Sequence, residues 1–277
     1  MQQTGIGVIV SLESVLAHGV REIQEMGLTV CQLNSWNDAL YTPENATKVK
    51  AIVEDKVSIT SLWAGWPPPA VWNFYEGPLT LGLVPREYRY RRIEALKRGA
   101  DFAKMLGLTD VTTHCGFIPE NPATTEYREV VIAIREVARY CKDLGLYFNF
   151  ETGQETPTTL MRTIEEVGLD NLGINLDPAN LLLYGKANPC DAVDIFGSLI
   201  RGVHVKDGTY PTDGRNLGKE TPVGEGLVDF PRLIKKLAAH GYHGPWIIER
   251  EISGPQQKED ILKAKALLES LLAIGHA

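Results

Sequence analysis

Four short apolar runs in the second half of the chain each close on a side chain able to hold a metal ion. Phe148-Asn149-Phe150 ends in Glu151, and Ile174-Asn175-Leu176 runs into Asp177. Val203-His204-Val205 carries an imidazole, and Ile247-Ile248 leads to Glu249. Three carboxylates brought together in a partly desolvated place repel one another. A divalent cation removes that cost and gives each carboxylate a partner. Three oxygen-donating residues with one imidazole favour Mn2+, Mg2+ or Co2+, with Zn2+ also admissible. Four protein ligands leave coordination positions open, so a substrate can bind through two adjacent oxygens. Each residue also has a plainer reading. A glutamate ending a strand can cap a helix or pair with a cation, and a lone strand histidine is often a satisfied core residue. The joint pattern weighs against this, because structural residues have no reason to choose the same end of four successive strands.

The elements that must position these groups follow from periodicity. Strands are expected at Gly5–Val10, Thr29–Leu33, Ser58–Trp63, Asp110–His114, Tyr147–Glu151, Leu172–Leu176, Gly202–Val205 and Trp246–Glu249. Helical spacing of apolar residues marks Tyr88–Leu106, Tyr127–Leu144, Phe230–His240 and Glu259–Leu272. Eight strand–helix units in 277 residues give about 35 residues per unit. That spacing predicts a single-domain (β/α)8 barrel over residues 1–277, with parallel strands that read as nearly continuous apolar runs. The weakest unit is the sixth, where Asp191–Phe196 is short for a crossover helix. A doubly wound open sheet is the rival, but Gly5-Ile6-Gly7 lies inside a strand and lacks the third glycine of a phosphate-binding turn. Two long connections, 64–87 and 206–228, follow strand ends on the face where such barrels keep their sites.

Five segments carry a resemblance over essentially the whole chain: Phe148–Thr156 (FNFETGQET), Asn175–Gly185 (NLDPANLLLYG), Val203–Gly208 (VHVKDG), Val223–Phe230 (VGEGLVDF) and Gly244–Glu251 (GPWIIERE). The chain resembles the xylose-isomerase-like sugar isomerase/epimerase superfamily. Its members include ketose 3-epimerases, sugar-phosphate 3-epimerases, hydroxypyruvate isomerase, inosose dehydratase and, more distantly, endonuclease IV. The resemblance implies that Glu151, Asp177, His204 and Glu249 bind one divalent ion, commonly manganese, and that the two glutamates also move protons. A C–H beside a carbonyl is a weak acid in water. Polarising the carbonyl stabilises the enediolate formed on deprotonation. For a 3-epimerase, Glu151 and Glu249 would remove and return the proton at C3; for an aldose–ketose isomerase, one carboxylate would shuttle it between neighbouring carbons.

Further candidates surround this set. His114 closes the fourth strand and could hydrogen-bond a substrate hydroxyl, or be a core histidine. Glu155 could hold a hydroxyl at the reacting end, as similar glutamates do in the superfamily, or sit in the first turn of the helix near Pro157. Lys206 could position substrate or pair with a neighbour, and Arg215 in the next long loop could contact an anion or stay solvated. Trp63 and Trp66 could stack on a sugar face, close the mouth or simply pack. Asn180 stands three residues after Asp177, where ketose 3-epimerases of free sugars often carry histidine. Sugar-phosphate members can carry asparagine there, which tilts the expectation towards a phosphorylated or acidic substrate, although no glycine-rich phosphate cradle is visible.

Composition excludes other classes. Lys plus Arg is 28 against 35 Asp plus Glu, a net charge of −7 that disfavours a nucleic-acid partner. Endonuclease-type repair would need a zinc cluster, many histidines and a basic face, whereas the chain has 6 His. No apolar run spans a bilayer. Residues 6–10 are only strand-length and no basic region precedes them, so no signal peptide is expected. Four scattered cysteines without a CxxC suit a cytoplasmic protein. The aromatic-rich residues 66–75 would serve as a lid or a subunit contact, leaving a homo-oligomer open. The expectation is therefore a metal-dependent isomerase or epimerase of a ketose or ketose phosphate. An inosose-type dehydratase on the same site is the alternative, and a non-catalytic sugar-binding barrel a more distant one.

Overall fold

The computed structural model describes residues 5–275. Eight parallel strands close into a barrel: β1 (Gly5–Ser11), β2 (Val30–Ser35), β3 (Ser58–Ala64), β4 (Asp110–Thr113), β5 (Tyr147–Glu151), β6 (Leu172–Leu176), β7 (Ile200–Val205) and β8 (Pro245–Ile248). Each strand pairs with its neighbours in chain order, and β1 closes on β8 with Gly5 opposite Pro245 and Val8 opposite Ile248. Helices between the strands form the outer layer, so the architecture is a single-domain (β/α)8 barrel. Strands five and six lie where the sequence puts them, and the other ends move by one or two residues. His114 and Glu249 thus stand one residue past β4 and β8. Among the described residues no helix is long and apolar enough to cross a membrane.

Side chains alternate between the two faces of a strand. On β5, Phe148 and Phe150 join the apolar layer under the helices, while Asn149 and Glu151 take the other parity. The same parity joins Gly173, Asn175 and Asp177, then Gly202 and His204, then Ile247 and Glu249. A Cβ on Gly173 would meet Asn149 Oδ1 at 2.4 Å, and one on Gly202 would meet Asn175 Oδ1 at 2.5 Å. These glycines therefore make room for neighbouring asparagines inside the barrel. The interior is layered and partly polar rather than continuously apolar, and the four candidate ligands form its uppermost level.

The sixth crossover holds two short helices, Pro178–Leu183 and Pro189–Phe196, where the sequence suggests one. Each begins with proline in its first turn behind a side-chain cap, Asp177 and Asn188 respectively, so the chain starts a helix twice. The connection 64–87 contains one short helix, Gly77–Thr80. It is tied down by Arg92, a fully buried residue of the helix Arg86–Leu106. Its guanidinium donates to the carbonyls of Gly82 at 2.7 Å and Pro69 at 2.6 Å, and lies 4.4 Å from the Trp66 ring centre. The connection 206–228 folds back as a two-stranded ladder, Asp207–Gly208 against Glu220–Thr221. The Asp207 carboxylate fastens it by accepting from the backbone N–H groups of Gly208, Gly224, Gly226 and Val228 at 2.8–3.0 Å.

Candidate metal centre

Glu151, Asp177, His204 and Glu249 each offer one ligand atom, and all four atoms lie within 4.8 Å of one another. His204 is the hub. Its Nδ1 is 2.9 Å from Glu249 Oε2, 3.1 Å from Glu151 Oε1 and 3.8 Å from Asp177 Oδ2. These approaches are not aligned as hydrogen bonds, so His204 Nδ1, Asp177 Oδ2 and Glu249 Oε2 are buried without a hydrogen-bond partner. Unpaired buried polar atoms are costly. Three of them facing one point, in a set of one nitrogen and three carboxylates, fit a divalent ion well. Any bound Mg2+ or Mn2+ would find the oxygen-rich donors it prefers.

The local structure explains how each ligand is held. Asp177 caps the helix Pro178–Leu183 through Oδ1, which accepts from Asn180 N–H at 2.9 Å. Thr152 Oγ1 clamps its backbone from both sides, at 2.9 Å to O and 2.9 Å from N. Capping uses one oxygen and leaves Oδ2 turned to the centre, so the capping and ligating readings both apply to Asp177. Glu151 Oε2 accepts a hydrogen bond from Trp63 Nε1, and Oε1 lies 3.5 Å from Asn180 Nδ2. Glu249 extends the sheet by one bond, N–H to Val205 O at 3.2 Å. Gln32 of β2 meets the far side of the His204 ring, Oε1 to Nε2 at 2.7 Å.

Charges in this setting are strongly perturbed. Burial alone would raise the Glu151 carboxyl, but the charges of the nearby His114 and His204 rings, with the bond from Trp63, hold it at about 2. Burial opposes charge on His204, yet Glu151 and Glu249 outweigh it and drive its value well above that of ordinary histidine. A cation at the same point would compete for the same field. Lys206 is fully buried and stays protonated, because Glu249, Glu251 and Asp177 outweigh its desolvation. Its ammonium lies 2.7 Å from Glu251 Oε1, 3.5 Å from Glu249 Oε2 and 3.6 Å from Asp177 Oδ2.

The centre opens into a cavity of about 480 Å3, within the size range of small-molecule sites. Glu151 and Glu249 line it, together with Trp63, His114 and Asn180; Asp177 and His204 stand behind them. His114 Nε2 is 3.7 Å from Glu151 Oε1, and its Nδ1 has no partner. One wall is aromatic. Trp36 packs 5.0 Å from both Trp63 and Trp66 and 6.1 Å from Trp72, so four of the five tryptophans gather here. Trp36 and Trp72 keep 42% and 39% exposure. Glu155 is buried behind the lining, with Oε2 unpartnered and burial raising its carboxyl to about 8. Arg215 is exposed in its loop, 5.6 Å from the Tyr75 ring centre, and is not part of the lining.

Sequence reading does not single out Gln32, Trp36, Trp72, Arg250 or Glu251, although all touch or line the site. Gln32 leaves one trace, a long amide inside the otherwise apolar run Val30-Cys31-Gln32-Leu33. The tryptophans leave none, since the path of the connections decides whether they meet.

The family model for xylose isomerase-like TIM barrels matches residues 20–271. The chain belongs to that family. Within it, a xylose isomerase domain protein from Planctomyces limnophilus superposes with a TM-score of 0.89 at 30% identity, over 97% of this chain and 96% of that one. A D-tagatose 3-epimerase-like protein superposes at 0.75 with 21% identity, over 99% and 98% of the two chains, a likeness of fold. The inosose dehydratase of Geobacillus kaustophilus is 28% identical over 174 residues, 55% of this chain and 54% of that protein. A second curated relative, from Methanocaldococcus jannaschii, is matched over 62% of its length, so the chain spans between half and two thirds of these two.

Proposed function

We propose that this xylose isomerase-like barrel is a divalent-metal-dependent isomerase or epimerase of an unphosphorylated ketose. The observation that carries the reading is the placement of two glutamates on the cavity wall while the other two ligands stand behind. A substrate entering the cavity meets Glu151 and Glu249, the groups able to take and return a proton.

Glu151, Asp177, His204 and Glu249 would hold the ion, with Mn2+ proposed ahead of Mg2+, Co2+ and Zn2+. When bound, it supplies Lewis-acid polarisation of a carbonyl, lowering the barrier to removing the neighbouring proton. The protein does the rest. Glu151 is kept ionised by its surroundings, as a base must be. Glu249 faces the same space with Oε2 unpartnered. His114 and Asn180 line the cavity and offer polar atoms to substrate hydroxyls, and the tryptophan wall offers flat faces to the C–H side of a sugar. Lys206 balances the carboxylates from behind.

Charge around the cavity favours a neutral substrate over a phosphorylated one. The lining includes Glu151, Glu249 and Glu251 against the single guanidinium of Arg250. Arg250 is committed to Glu220 at 3.1 Å and Asp260 at 2.9 Å, and Lys206 to Glu251. A lyase reading has the likeness to inosose dehydratase in its favour. It would use the same proton removal and then expel a β-hydroxyl. Incubating the Mn2+-loaded protein with a panel of ketoses in deuterated water separates the readings by NMR. Deuterium entering the carbon beside the carbonyl, with sugar mass otherwise conserved, supports the isomerase or epimerase. Loss of water supports the lyase, and no exchange with any sugar refutes both.

A further inference from the structure

The structure assigns Gln32 as a positioning residue that fixes the His204 ring so that Nδ1 presents its lone pair to the metal centre. The inference rests on the reading that the quartet holds a divalent ion. Gln32 and His204 are 172 positions apart in sequence, yet Gln32 Oε1 lies 2.7 Å from His204 Nε2, with both residues essentially fully buried. An amide can present either oxygen or nitrogen, and the site decides which. Nδ1 faces three carboxylates, the setting in which a neutral ring ligates an ion through that nitrogen. Nε2 then carries the hydrogen and needs an acceptor, which of the amide's two ends only the oxygen can be. The amide nitrogen then points away and donates to Ser61 Oγ of β3 at 2.9 Å, which anchors the far end of the amide.

The choice of an amide has its own logic. A metal-ligating histidine usually bonds its second nitrogen to a carboxylate, a carbonyl or water, which fixes tautomer and ring angle. Three carboxylates already face this ring, and Glu151 is fully buried among them. A neutral acceptor fixes the tautomer without adding a fourth negative charge to the barrel interior.

The test is titration calorimetry of the full-length protein with Mn2+ alone, on wild type, Gln32→Met, Gln32→Glu and Ser61→Ala. Gln32→Met keeps the shape and removes the acceptor; its affinity should fall about 10–100-fold. Gln32→Glu restores the acceptor and should bind at least as tightly as wild type. Ser61→Ala should lose a few-fold by loosening the amide. In the Mg2+-loaded wild type, 15N-resolved NMR should show a slowly exchanging His204 Nε2–H, shifted and fast-exchanging in Gln32→Met. Affinities within twofold of wild type in both Gln32 variants overturn the inference, as does a Gln32→Glu protein as weak as Gln32→Met. If Gln32→Met does not fold, the Glu and Ala variants and the NMR signal carry the decision. Wild type that binds no divalent ion overturns this inference and the proposed function together; intact sugar exchange with unchanged affinities overturns this one alone.

Discussion

The two glutamates of the cavity wall are held in opposite ways. On the β5 side, Glu151 is fully buried, gripped at one oxygen by Trp63 and approached at the other by His204, Asn180 and His114. On the β8 side, Glu249 has a 13% exposed side chain and an unpartnered Oε2, with the His204 ring at 2.9 Å and the Lys206 ammonium at 3.5 Å. One carboxylate is built into the barrel, and the other stands at its rim. The difference teaches that the paired roles proposed for them, taking and returning a proton, need not rest on symmetrical settings. Glu151 has its charge and angle fixed by its neighbours, whereas Glu249 is less enclosed.

The comparison can be broken first at the glutamates themselves. Glu249→Gln should keep part of the metal affinity and lower deuterium exchange into the substrate by about 10²–10⁴-fold. Glu151→Gln should lose exchange as deeply and metal binding as well, because its setting is organised around a charge. Equal metal affinities in the two variants, read by calorimetry, would erase the proposed asymmetry. Next comes the cation behind them. Lys206→Met strips the buried carboxylates of their partner and should cost about 3–5 kcal/mol of metal-free stability. The gain in melting temperature on adding Mn2+ should then exceed that of wild type, since the ion no longer competes with an ammonium. Scanning calorimetry with and without metal reads both. A smaller change is expected from Trp63→Phe, which removes one donor from Glu151 and should cost about 1–3 kcal/mol. Its rate of deuterium exchange into the substrate should fall with it, read by the same NMR assay.

A separate effect is one of pH and lies behind the wall. The Glu155 carboxyl is raised by burial to about 8, so the folded protein keeps its proton where the unfolded chain has lost it. Folded protein therefore binds more protons between the usual carboxylate value of 4.5 and about 8, and stability falls as pH rises through that window. Glu155→Gln should flatten this slope, and melting curves taken from pH 5 to 9 measure it. A slope of the same size in the variant would show that another group is responsible.

The barrel was legible because strands and helices carry different periods, and because buried parallel strands are short and apolar. Asp177, His204 and the two glutamates were legible because polar groups at the ends of apolar runs stand out, and the two-residue alternation puts them on one face. Proline-started helices in the sixth crossover blurred the spacing there, since two short elements replaced one. The aromatic wall and Gln32 depend on contacts between strands and connections distant in sequence, which composition and period do not encode. Arg215 shows the same limit from the other side. Its loop follows a strand end, but the ladder pinned by Asp207 carries the guanidinium out to Tyr75.

Arg92 binds the connection 64–87 to the helix Arg86–Leu106 through backbone carbonyls and the face of Trp66. The tryptophan panel is thereby bolted to the outer ring of the barrel, and any loosening of that helix would reshape the aromatic wall of the cavity. The shape of that cavity can drift by mutations on the periphery of the barrel, with Glu151, Asp177, His204 and Glu249 left untouched.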